Sequence, residues 1–98
     1  MRESQYQSHI IKRLLREFPE CVVIKNDANY IQGIPDLLVL FGDRWAMLEV
    51  KRSRNEEAQP NQEHYVELFN NMSYSSFIYP ENEDQVFDEL QLTFSVSR

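Results

Sequence analysis

Apolar residues recur every four positions in the first segment of the chain: Tyr6, Ile10, Leu14 and Phe18, with Ile11 and Leu15 widening the stripe. This spacing predicts an amphipathic helix over residues 3–18, stopped by Pro19. Glu3 falls at the N-terminal end of its buried face. The period then changes. The β-branched run CVVIK, 21–25, predicts a strand, and 26–33 is a polar loop. PDLLVLF (35–41) and RWAMLEVK (44–51) predict two more strands around a Gly42-Asp43 turn. A polar loop, 53–60, leads to a second helix over 61–72, capped by Asn61, with Tyr65, Leu68, Phe69 and Met72 on one face. YSSFIY, 74–79, reads as a strand and 81–90 as a short acidic helix. The alternation in LTFSVS, 92–97, suggests a last strand. The order αβββαβα places the chain in the α/β (α+β) class, a mixed sheet with helices on its faces. Its 98 residues make one domain, 1–98.

The central hairpin raises a question of charge. Glycine at the first loop position suits a two-residue II′ turn. Phe41 then pairs with Arg44, Leu40 with Trp45, Leu38 with Met47, and Asp36 with Glu49. Opposed residues share a face, with Cβ atoms roughly 4.5–5.5 Å apart. Lys51 joins that face roughly 6–7 Å further along. Taken singly, an Asp or a Lys at a strand end is ordinarily a solvated residue or half of a salt bridge. Together, two facing carboxylates repel each other and call for compensation. A hard divalent cation supplies it best, and a neighbouring lysine can orient an attacking water. Such parts suit metal-assisted hydrolysis of a phosphodiester. Glu3 could supply a further carboxylate.

The formal net charge is −6. Bulk charge therefore argues against nucleic acid as a partner. The distribution softens this. Lys12, Arg13 and Arg16 lie in the first helix, Arg52 and Arg54 follow the hairpin, and acids crowd residues 81–89. No apolar run is long enough to cross a bilayer, and the first residues lack the pattern of a secretory signal. The lone Cys21 reads as a buried thiol. Together these features fit a reducing, intracellular (cytoplasmic) compartment. His9 and His64 have no second ligand at metal spacing and read as structural.

Pro35-Asp36, followed by Glu49-Val50-Lys51, resembles the PD-(D/E)XK nuclease motif, and the αβββαβ order resembles that superfamily's restriction-endonuclease-like core. GIPDLLVL, then LEVKRSR, then Gln62 at the head of the next helix is similar more narrowly to the VRR-NUC group, small virus-type replication-repair nucleases. Glu3 matches that group's N-terminal helical glutamate. The resemblance spans residues 3–80. It implies a Mg²⁺- or Mn²⁺-dependent endodeoxyribonuclease with no small-molecule cofactor. Asp36, Glu49 and the Val50 carbonyl would ligate the ion, and Glu3 would act through a water or a second ion. Lys51 would position the attacking water, and Gln62 would contact the site or a substrate phosphate. Glu17 shares the Glu3 face but lies more than ~20 Å along the helix. Arg52, Arg54, Lys12, Arg13 and Arg16 are the candidate DNA-contacting cations. Tyr30 and the 26–33 loop either approach DNA or cover the sheet. The resemblance further implies a homodimer acting on branched DNA such as Holliday junctions. The alternatives are a sequence-specific restriction or homing enzyme and a non-catalytic DNA-binding subunit of nuclease fold.

Overall fold

The computed structural model describes residues 1–95. Helix α1 spans Glu3–Glu17, followed by strands β1 (Val22–Lys25), β2 (Leu37–Phe41) and β3 (Arg44–Val50). Helix α2 (Pro60–Met72) leads to β4 (Tyr74–Ile78), a single 3₁₀ turn at Pro80–Asn82, and helix α3 (Glu83–Phe94). The sheet order is β1-β2-β3-β4, antiparallel except for the parallel β3–β4 pair. A parallel neighbour needs a crossover, and α2 is that crossover.

The hairpin register is the one expected from the turn. Phe41 pairs with Arg44, Leu40 with Trp45 and Leu38 with Met47. Gly42 has φ +61 and Asp43 is not left-handed, as a II′ turn requires. Alternation then sorts the side chains. Leu37, Val39, Ala46, Leu48 and Val50 face one side and are fully buried. They form one core with Tyr6, Ile10, Leu14 and Phe18 of the α1 segment and Val86, Phe87, Leu90 and Phe94 of α3. The opposite face carries Leu38, Leu40, Trp45 and Met47 and receives α2, whose Phe69 ring meets Trp45 edge-on. Asp36, Glu49 and Lys51 have the same parity, so they open onto the α2 side, at the end of the hairpin away from the turn.

Glu83 fastens α1 to α3. It accepts hydrogen bonds from the Tyr6 hydroxyl at 2.8 Å and Arg13 Nη1 at 2.7 Å, and pairs with His9 Nε2 at 3.0 Å. The Arg13 guanidinium also binds Asp84 and Glu17 and lies 4.1 Å from the centre of the Phe87 ring. This clamp fixes the end of α1 that carries Glu3.

Several boundaries differ from the sequence expectation. Helix α2 begins at Pro60 after Gln59, not at Asn61, because proline is preorganised for the first helical position. Met72 is exposed, as is Leu15 of α1. The expected strand at 92–97 is corrected for its first part: Leu92–Phe94 continue α3, because Leu90 and Phe94 recur at helical spacing in the core. Residues 96 and 97 of that expected strand lie outside the described residues.

Two glycines have different tasks. Gly42 has open space where a Cβ would stand, so only its turn conformation asks for glycine. Gly33 has φ +92, and a Cβ there would lie 2.5 Å from Asn61 Cβ and 2.9 Å from the Asn61 carbonyl carbon. The loop before Asp36 thus rests directly on the first turn of α2. We expect Gly42→Ala to cost roughly 1–2 kcal/mol for the left-handed conformation alone. Gly33→Ala should cost clearly more, because it adds a backbone collision. Denaturant titration of both variants checks the order; equal losses would contradict the close contact.

Candidate active site

Strand β3 ends in a pair of buried charges. Glu49 and Lys51 are only 3% and 6% exposed. Burying a charge is costly unless it is paired and hydrogen-bonded. Lys51 Nζ donates to Gln62 Oε1 at 2.8 Å and stands 3.9 Å from both Glu49 and Glu56. Gln62 Nε2 in turn donates to Glu49 Oε2 at 3.1 Å. Gln62 Oε1 also accepts the Gln59 N–H at 3.0 Å, so one amide caps α2 and ties it to the end of β3.

Asp36 precedes β2 directly, opposite Glu49 by extension of the hairpin register. Its Oδ2 accepts the Val50 N–H at 2.9 Å, locking the carboxylate across the strand pair. Asn26 braces this corner. Its N–H donates to the Asp36 carbonyl at 2.8 Å and its side chain to the Pro35 carbonyl at 2.9 Å. Glu3 comes from α1, on the other face of the sheet, and meets Glu56 side chain to side chain at the edge of the cluster. Glu56 Oε1 accepts the Arg52 N–H at 3.0 Å, folding the 53–60 loop back over Lys51.

Four carboxyls therefore surround one ammonium, and the imbalance appears in their proton affinities. Burial, then the charge of Asp36, pushes Glu49 up to about 8 against the opposing pull of Lys51. Burial, then its contact with Glu56, raises Glu3 to about 7. Burial also raises Asp36, although the Val50 N–H, Lys51 and a hydrogen bond with Glu49 act against it. Glu56 is lowered: burial opposes, but the Arg52 N–H, Glu3 and Lys51 prevail.

The carboxyls of Asp36 and Glu49 thus share space that suits either a proton or a hard cation. Among the described residues no group of three or more His, Cys, Asp or Glu forms a ready metal cluster. Two carboxylates with shell positions left to water and substrate oxygens fit Mg²⁺, which seldom takes an all-protein cage.

The structure brings together Glu3, Asp36, Glu49, Lys51 and Gln62 from four separate stretches of sequence. Val50 joins them through its N–H. It does not gather the expected cations equally. Arg13 spends its guanidinium on Glu17, Glu83 and Asp84. Arg52 lies 3.8 Å from Glu56 with its side chain largely in solvent. Arg54 is exposed and borders a cleft of about 290 Å³ with Lys51, Phe77 and Tyr79. Lys12 and Arg16 are exposed on α1. Glu56 and Asn26 escaped the sequence reading; both sit in loops without periodicity, and their roles come from chain reversal alone.

In the metal-free protein the raised carboxyls set a stability profile. A carboxyl whose folded value lies above its unfolded value of about 4.5 binds more protons when folded between those limits, so stability falls as pH rises. The window here runs from about 4.5 to about 8, from Glu3 and Glu49. In EDTA, unfolding titrations should show stability declining across it, and Glu49→Gln should flatten the decline and be the more stable protein at pH 8. A flat wild-type profile would contradict the crowding.

No protein-family sequence model and no curated protein sequence matches the chain. Its fold does match solved structures. A structure described as a VRR_NUC domain superposes with a TM-score of 0.70 at 24% identity, over 88% of this chain and 94% of that one. A VRR_NUC domain protein gives 0.67 at 17% identity, over 97% and 89%. Element order, mixed sheet and these superpositions together give the chain the VRR-NUC nuclease fold.

Proposed function

We propose that the chain is a divalent-metal-dependent endonuclease that hydrolyses DNA phosphodiesters, acting on branched DNA as a homodimer. The observation that carries this reading is the Asp36–Glu49–Lys51–Gln62 constellation on a nuclease fold, with Glu49 and Lys51 buried at its centre and carboxyl groups outnumbering the one ammonium. Mg²⁺ or Mn²⁺ held by Asp36 and Glu49 would supply charge neutralisation at the scissile phosphate.

The remaining work falls to the chain's own groups. Gln62 holds Lys51 Nζ with one hydrogen bond, leaving the other ammonium protons for a water and a phosphate oxygen. At 3.9 Å from Glu49 and Glu56, Lys51 is attracted to both and bonded to neither, so it keeps its aim. Glu3 and Glu56, joined side chain to side chain, form an outer proton store beside that water. Arg54, Lys12 and Arg16 are the exposed cations for flanking phosphates, with Arg52 partly engaged by Glu56. Arg13 drops from the set because three carboxylates already hold it.

The homodimer reading draws support from the half of the sheet that α2 leaves open. Val22 and Ile24 of edge strand β1 are 53% and 41% exposed beside Leu38 and Leu40. A two-fold partner covering this face would also offer a second site to the second strand.

Cleavage of labelled linear, flapped and four-way DNA in Mg²⁺, Mn²⁺ or EDTA tests the reading. We expect cutting only with the metals and preference for branched substrates. Asp36→Asn and Glu49→Gln should abolish it. Lys51→Ala should lose about 10²-fold or more in turnover while keeping DNA binding, the range for a positioned proton-transfer group. Full activity in either carboxylate variant would overturn the site, and normal turnover in Lys51→Ala would overturn the role of the lysine.

A further inference from the structure

A cleft of about 390 Å³ reaches Gln62, the residue that holds Lys51. One wall is Ala28, Gln32 and Gly33 of the loop before β2; the other is Gln59, Pro60 and Asn61 at the start of α2. The walls meet where Gly33 rests on Asn61, so the absence of a side chain at Gly33 lets them close together. No charged side chain lines the cleft. Its volume is at the small end of the roughly 300–1,000 Å³ typical of ligand clefts.

The lining decides what fits. A phosphate would ask for cations, and there are none. Side-chain amides offer a donor and an acceptor side by side, the pattern that pairs with the edge of a nucleobase. Gln32, Gln59 and Asn61 bring three such groups, and Ala28 and Pro60 add apolar surface for a ring face. Tyr30, in the same loop, is 85% exposed. An exposed aromatic ring in a loop that walls a nucleic-acid site offers a stacking platform, and base stacking on such a ring is worth roughly 1–3 kcal/mol. Gln62 lines the cleft and also binds Lys51 and Glu49. A base in the cleft is therefore one side chain from the place where the cut phosphate would sit.

We propose that this cleft receives one unpaired nucleobase next to the scissile phosphate, so that the chain selects DNA in which a nucleotide at the cut is unstacked. The inference deepens the nuclease reading and rests on it for the position of the phosphate. A base inside a duplex cannot present its pairing edge to these amides. A base at a branch point can, because its unstacking is already partly done.

The test uses 2-aminopurine, whose fluorescence rises when it leaves the base stack, placed at successive positions across a branch and in a fully paired control. Binding is followed in Ca²⁺ under conditions where no cleavage is seen. We expect a several-fold rise at one branch position and little in the paired control. Gln32→Ala and Tyr30→Ala, both at exposed loop positions, should each reduce the rise, with the salt dependence of binding unchanged. No rise at any position, no binding, or an undiminished rise in both variants would overturn the proposal. Metal-dependent cutting without a fluorescence rise would leave the nuclease reading standing and remove the cleft. A rise lost in the variants, with no cutting in Mg²⁺ or Mn²⁺, would keep the cleft and remove the nuclease reading.

Discussion

The antiparallel register of β2 and β3 is the constraint on which the site depends. Pairing Leu38 with Met47 and Leu40 with Trp45 leaves Asp36 opposite Glu49 and sets Lys51 on the same face. A slip of one residue would turn the inward residues of one strand, Leu37 and Val39 or Ala46 and Leu48, out of the core and leave the two carboxylates on opposite faces. The core and the charge cluster are therefore specified by the same set of ladder hydrogen bonds. The Gly42 turn fixes the register at one end, and the bond from the Val50 N–H to Asp36 Oδ2 closes it at the other.

Around that hairpin, each further element brings one group to the charges. Gln62 reaches Glu49 and Lys51 because Pro60 starts α2 just after the loop and because Gly33 lets the first turn sit close. Glu3 arrives from the opposite face, held by the Tyr6–Arg13–Glu83 clamp between α1 and α3. Glu56 closes the outer side. The result concentrates negative charge about a single lysine, an arrangement that costs stability when metal-free and attracts a cation. Such a local conflict with stability is expected where function sets the residues.

Much of this was legible in the chain. Period-four and period-two patterns locate α1, β2 and β3, because each has one buried face. The turn chemistry of Gly42-Asp43 gives the pairing, and the pairing gives Asp36, Glu49 and Lys51. Glu3 and Gln62 followed from the resemblance, and the structure brings both to the cluster. Pattern reading failed where burial is partial or contacts are non-local. Helix α2 has no buried residue, so no inward stripe marks its start at Pro60 or the exposure of Met72. The last turn of α3 alternates like a strand, because a short alternating run can carry either period. Glu56, Asn26 and the neutralisation of Arg13 depend on which loop or helix lies alongside, which no local pattern encodes. The Gly33 contact has a sequence trace, a glycine before Pro35-Asp36, but its reason is Asn61, twenty-eight residues away.

Calorimetric titration of the metal-free protein with Mn²⁺ at pH 7, repeated in buffers of different ionisation enthalpy, tests the central claim most directly. Binding should release protons, because burial and neighbouring charge hold Glu49 protonated up to about 8. Asp36→Asn and Glu49→Gln should each abolish or severely weaken binding, and Glu49→Gln should lose most of any remaining proton release. Glu17→Gln, at the far end of α1, should bind as the wild type does. Absence of binding in the wild type, or unchanged binding in both carboxylate variants, would contradict the account.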